Sequence, residues 1–269
     1  MTSSFKVMAA AALLSASIAL PAHAHRGWML PSATVLSGQD QWVTVDAAIS
    51  NDLFYFEHFP MRLDNLKVFA PDGSEAKVEN ASTGRYRSTF DIHLTQPGTY
   101  KMAVVNNSVG GSYKLNGETK RIRGTSAGLP AIDPAATDIR LSQSQSRLEI
   151  FVTSGKPTDT VLKPTGTGLE LVEGTHPNNL VAGEEAKFGL VLDGKPAADV
   201  EVEIVPGGNR YRDTLNDIKV KTDKDGKFSV KWAEPGMYWI NASVRDDKTT
   251  VKDATQRRAS YTATFEVLP

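Results

Sequence analysis

The chain has 269 residues and a mass of 29.1 kDa, with 30 Lys and Arg against 31 Asp and Glu, and it contains no cysteine. A net charge of -1 leaves no general basic field for a nucleic-acid partner, although it is compatible with a local patch. The lack of cysteine excludes disulfide scaffolds, Cys-ligated zinc, iron–sulfur clusters and thiol nucleophiles, so any metal would rest on His, carboxylate, Met or backbone groups.

The first 24 residues read as a cleaved signal peptide: Lys6 is the positive charge, 7–20 is a mostly apolar run, Pro21 breaks it, and Ala22-His23-Ala24 is a small-x-small cleavage site. The run is too short to span a bilayer, no second stretch approaches the length of a spanning helix, and the expected address is the periplasm. From there on the pattern is β. Residues 41–49 alternate, and similar short runs recur at 66–70, 86–94, 100–106 and 148–153. Turn signals separate them, among them Ser37-Gly38, Pro71-Asp72-Gly73, Gln96-Pro97-Gly98, Asp193-Gly194 and Glu234-Pro235-Gly236. Asp223-Lys224-Asp225-Gly226 resembles the start of a calcium loop, but it lacks the later oxygen ligands and reads as a hairpin turn. Residues 107–147, rich in Gly, Ser, Arg and Gln, read as a long hairpin with a loop crossing between sheets.

Two signals repeat in the same order at nearly the same offset. Val35-Leu36-Ser37-Gly38-Gln39-Asp40 is echoed by Leu180-Val181-Ala182-Gly183-Glu184-Glu185, and Gln96-Pro97-Gly98-Thr99-Tyr100 by Glu234-Pro235-Gly236-Met237-Tyr238. The expected fold is all-β, with two β-sandwich units in tandem at 25–155 and 168–269, divided where Pro157, Pro164 and Gly166 cluster in 156–167.

A resemblance joins this pattern. Leu169-Glu170-Leu171-Val172-Glu173, Gly183-Glu184, Leu192-Asp193-Gly194-Lys195-Pro196, Val200-Glu201-Val202, the 222–228 turn and Pro235-Gly236-Met237-Tyr238, together with His25, Trp28 and Pro31, resemble a bacterial periplasmic family. Its members are described as periplasmic components of cobalt or nickel uptake systems, or nickel-uptake substrate-specific regions. The resemblance covers the mature chain, implies Ig-like modules in its second half, and implies a metal ion and a membrane metal transporter as partners.

The histidines carry the metal argument. Cleavage after Ala24 would make His25 the terminal residue, whose amine and ring nitrogen can chelate one metal. If the first two strands fold back about 37–40, His25 faces the neighbourhood of Asp52, and the segment 51–60 brings Asp52, Glu57 and His58 to the same pole. Those four residues, with His93 as a further ligand if its sheet face meets this loop, form a candidate site for divalent nickel, cobalt or copper. His93 lies on the outward face of its strand and ranks third among the histidines, while His176 reads as a packing residue between units. No G-x-S-x-G, H-E-x-x-H or P-loop occurs. The leading expectation is a non-enzymatic periplasmic protein that captures or presents a divalent transition metal. The alternatives are a copper oxidase or oxygenase with a terminal-His chelate, and a metal-free Ig-like module binding carbohydrate or protein.

Overall fold

The computed structural model describes residues 25–125 and 128–269; the expected signal segment, with His23, lies outside the described residues. The first half supplies β1 (Arg26–Pro31), β2 (Val35–Leu36), β3 (Gln41–Ser50), β4 (Phe59–Pro60), β5 (Leu66–Phe69), β6 (Glu79–Thr83), β7 (Ser88–Leu94), β8 (Gly98–Leu115), β9 (Glu118–Thr125) and β10 (Thr137–Ser154). After a 3-10 turn at Thr160–Leu162 come β11 (Leu169–Glu173), β12 (Glu185–Leu192), β13 (Lys195–Pro196), β14 (Glu201–Pro206), a second 3-10 turn at Asn209–Tyr211, β15 (Ile218–Lys221), β16 (Lys227–Lys231), β17 (Gly236–Asp246) and β18 (Ala254–Val267). The all-β expectation holds among the described residues. The 223–226 segment is a turn, in which the Asp223 carboxylate accepts from the backbone of Asp225 and Lys227 and Gly226 takes a positive φ.

Separate tandem units would each close their own pair of sheets. Here one sheet is shared. A nine-stranded sheet runs β15-β14-β17-β18-β10-β8-β5, with β2 on β10 and β9 on β8. A five-stranded sheet (β1-β3-β7-β6, with β4) and a four-stranded sheet (β11-β12-β13, with β16) flank it. The join is parallel: β10 lies beside β18 from Leu141 opposite Ala254 to Ile150 opposite Thr264. Parallel pairing brings together strands distant in sequence and has no hairpin signal, which is why turn spacing could not announce it.

Alternation along β10 places the two smaller sheets on opposite faces of the shared one. Leu148, Ile150 and Val152 look toward the five-stranded sheet and pack with Val43, Val45, Phe90 and Ile92. Phe151 looks the other way and joins the core that Phe188, Leu190 and Phe228 of the four-stranded sheet form with Tyr261 and Phe265 of β18. Beyond both cores, β8, β9 and the start of β10 continue as an arm whose apolar face, with Val109, Ile122 and Leu141, is covered by 128–132 and 251–254. The backbone of the arm is close-packed at Gly111, where a Cβ would lie 1.8 Å from the Arg140 carbonyl oxygen.

Charges are buried at two joints of the shared sheet. On the Phe151 face, the Arg147 guanidinium contacts Glu149 at 3.0 Å and Glu170 at 3.1 Å, and Lys101 approaches Glu149 at 3.8 Å. Glu170 also accepts from the backbone N–H groups of Thr165, Gly166 and Thr167, so it ties the segment between the halves to the sheet. The second joint is Arg257, which donates to both carboxylate oxygens of Asp246, at 2.9 and 2.6 Å, and to Asp193 at 2.7 Å. The hydrogen bonds from Arg257 hold the Asp246 carboxyl below the usual carboxylate range. Because the folded value is depressed, the stabilisation is present above the unfolded value and is lost as pH falls through the folded one. Asp246→Asn is therefore expected to be less stable than the parent at neutral pH, with the gap closing in acid. Thermal midpoints of both proteins across pH 7 to 2 check this.

Candidate functional site

The best-defined surface feature grows from the N-terminal strand. β1 pairs antiparallel with β3, Arg26 opposite Ser50 and Pro31 opposite Val45. Alternation then divides β1 between two cores. Met29 enters the five-stranded core, while Trp28 points the other way, into a small cluster with Ala48, Leu53, Val205 and Trp239. Val205 and Trp239 belong to β14 and β17, so this cluster joins the two halves. The Trp28 indole donates to Ser50 Oγ at 2.7 Å, and the Trp239 indole to the Gly27 carbonyl at 3.0 Å. Arg26 lies over the Trp239 ring and reaches Glu203 at 3.7 Å.

The segment 51–58 is fixed by the same joint. Asn209 Oδ1 accepts from the Leu53 N–H at 2.8 Å, and its amide donates to Asp52 at 3.1 Å. Arg210 lies 3.7 Å from the Tyr55 ring centroid and contacts Asp52 and Glu57 at 3.6 and 3.9 Å. Glu57 Oε1 accepts from the N–H groups of Asn51 and Asp52 at 2.8 and 2.9 Å. Phe54 adopts a φ of 62°, which costs a non-glycine residue about 1–3 kcal/mol. Gly207 leaves room for its ring: a Cβ there would sit 3.0 Å from Phe54 Cδ2. Asn209 and Arg210 had no sequence signal, because a partner some 155 residues away leaves no local pattern.

The sequence-predicted site residues fall into two places. His25 and His58 come together, ring centroids 4.3 Å apart and edge to face, with Phe59 beside both. The carboxylates of Asp52 and Glu57 are engaged by Arg210 and backbone amides, with Glu57 Oε1 3.6 Å from His58 Nδ1. His93 is elsewhere. It sits opposite Trp42 across β3 and β7, stacks on that indole at 4.4 Å and contacts Asp40 at 2.7 Å. Trp42 is eight residues along β3 from Ser50, roughly 27 Å at the usual strand rise. His176 meets Thr99 at 3.1 Å, and its Nδ1 accepts from the Asn178 N–H.

The metal reading is overturned by this geometry. Among the described residues there is no group of three or more His, Cys, Asp or Glu able to hold a metal ion. A cationic guanidinium stands where the carboxylates would have to face a metal, and His93 lies at the wrong end of its strand. The divalent nickel, cobalt or copper cofactor falls with it, as do metal capture and delivery and the transporter partner.

What the joint leaves open is a groove. It has a volume of about 750 Å³ and lies between the five-stranded sheet and the shared sheet, with Ile49, Phe59, Met61, Val104 and Leu148 among its walls. Phe59 is 58% exposed at its rim, on the strand that follows the pinned segment. Among the described residues no helix is long and apolar enough to cross a membrane.

No curated protein matches the chain. Solved structures with which it aligns include the D0-D1 domain of Intimin, at 12% identity and a TM-score of 0.22, covering 90% of this chain and 97% of that one. The human OSCAR ligand-binding domain aligns at 11% identity and a TM-score of 0.20, covering 91% of this chain and 100% of that one. Escherichia coli alpha-2-macroglobulin activated by porcine elastase aligns at 13% identity and a TM-score of 0.25, over 91% of this chain but 20% of its own length. The family whose model matches is described as "Domain of unknown function (DUF4198)" and takes in residues 22–246. The chain belongs to this family, whose description names no nickel or cobalt uptake role.

Proposed function

We propose that the chain is a non-catalytic, metal-free binding module of tandem Ig-like type, exported to the periplasm, whose ligand is a protein segment seated in the groove beside Phe59. The observation that carries this reading is an exposed apolar side chain on a short strand that pairs with β3 and directly follows a segment pinned by the other half of the molecule. An exposed aromatic at the rim of an apolar groove supplies the anchor that protein interfaces use. Fixing it beforehand reduces the ordering cost of binding. Export rests on the N-terminal pattern of Lys6, the apolar run and Ala22-His23-Ala24.

Panning a phage-displayed peptide library against the processed protein, followed by anisotropy titration of enriched peptides, tests the reading. Phe59→Asp is expected to weaken those peptides at least tenfold, about 1.4 kcal/mol. Trp42→Asp, which alters another exposed aromatic outside the groove, should leave affinity unchanged. Enriched peptides that bind Phe59→Asp as tightly as the parent, or a library that yields none, would remove the groove from the account.

A further inference from the structure

The arm of the shared sheet has one covered face and one bare face. Register defines the bare face: Arg121 lies opposite Ser112 and Arg123 opposite Gly110 on β8, while Ser112 and Gly110 lie opposite Arg140 and Ser142 on β10. All of these alternate with Ile122 and Leu141, which face the covering segments. The same face continues across the parallel join, where Ser144 is paired with Arg258 and Arg258 with Arg245 of β17. Beside them a hollow of about 530 Å³ opens, lined by Arg245, Arg258, Ser142, Ser144 and Gln256.

Two features of this surface call for an anion. Arg245 and Arg258 are directly opposed in antiparallel strands, a position that holds Cβ atoms about 4.5–5.5 Å apart and makes like charges destabilising. Neither they nor Arg121 and Arg123 form an ion pair among the described residues. Of the nearby carboxylates, Asp246 is bound by Arg257 and Asp138 by Lys114, and Asp247 is the one carboxylate lining the hollow without an ion pair among the described residues. In a chain of net charge -1, such a face is a local concentration of positive charge, with opposed arginines that work against folding.

The side chains between the arginines say which polyanion fits. They are small hydroxyls and an amide, Ser142, Ser144, Ser112, Ser108 and Gln256, which exchange hydrogen bonds with a hydroxyl-rich ligand. The exposed aromatic side chains, Trp42, Tyr55, Phe59, Tyr86 and Tyr211, all lie elsewhere, so the face offers no platform for stacking bases. We propose that this arginine and serine face binds a linear acidic polysaccharide, its carboxylate or sulfate groups on Arg245, Arg258, Arg121 and Arg123 and its hydroxyls on the serines between them. The site is separate from the Phe59 groove and does not depend on it.

Calorimetric titration of the full processed protein with heparin oligosaccharide and with polygalacturonate, against neutral dextran, tests this. Binding of at least one acidic glycan is expected, falling steeply as salt rises. The Arg245→Gln/Arg258→Gln double variant should lose at least tenfold in affinity. Lys195→Gln/Lys227→Gln, on β13 and β16 of the four-stranded sheet that covers the opposite face, should lose none. The arginine variant should also melt at the parent's midpoint or above it, because it removes a like-charge opposition; a clearly lower midpoint would show that the pair serves the fold and overturn the proposal. Failure of both acidic glycans to bind at low salt would also overturn it, as would tighter binding of polyglutamate, duplex DNA or anionic vesicles.

Discussion

Arg147→Ala is expected to lower stability by about 3–5 kcal/mol, the usual cost of removing one partner from a buried ion pair. Glu149 and Glu170 are 4% and 3% exposed, and the variant would leave both facing a cavity without their shared cation. Lys101, at 3.8 Å, reaches only Glu149. Glu170 would keep its backbone donors from 165–167 but lose its counter-charge, so the segment between the halves should loosen as well. For a chain of this size the loss corresponds to about 6–20 °C in thermal midpoint. Urea unfolding at neutral pH checks the free energy, and hydrogen exchange at 163–168 checks the location. The Arg147→Met/Glu170→Gln double variant should be less damaged than Arg147→Ala, because Glu149 keeps Lys101 and no carboxylate of the cluster is left without a cation. If Arg147→Ala unfolds at the parent's midpoint, the cluster has no part in joining the halves.

Trp28→Ala is expected to cost about 3–5 kcal/mol through the cavity it leaves, and its second effect separates it from other tryptophan deletions. The Trp28 indole holds Ser50 Oγ, which in turn donates to the Asp52 carbonyl, and the ring packs against Phe54 and Phe56. Its loss should therefore speed exchange through 51–58 and weaken Phe59-dependent peptides beyond what global instability explains. Trp232 is a matched comparison, equally buried but in the core under the four-stranded sheet. Trp232→Ala should destabilise to a similar degree and leave 51–58 protected. Equal exchange in the two variants would show that the joint does not hold that segment.

Local pattern and long-range placement divide cleanly in this molecule. The expected run at 41–49 becomes β3, 66–70 becomes β5, and 148–153 becomes the end of β10, because period-two burial is written in neighbouring residues. The fold-back that brings the start of the chain to the 51–58 segment was also legible, since β1 and β3 are neighbours in sequence and pair antiparallel about the 37–40 turn signal, Arg26 opposite Ser50. It placed the His25 and His58 rings side by side, but the chemistry of the spot was misread. A carboxylate in sequence carries no sign of its partner, and Asp52 and Glu57 face Arg210, a residue in the other half.

By itself, the sequence determined an all-β chain without cysteine, the positions of its turns, and which side chains of each strand share a face. These follow from backbone sterics and alternation, which act between residues a few positions apart. The tertiary structure alone decided that β10 and β18 lie side by side, that the halves share a sheet, and that two smaller sheets cover opposite faces of it. It alone set Arg245 opposite Arg258 and left the arm's second face bare. Pairing between distant strands is settled by the total burial and hydrogen bonding of the whole chain, and no short window of residues contains that balance.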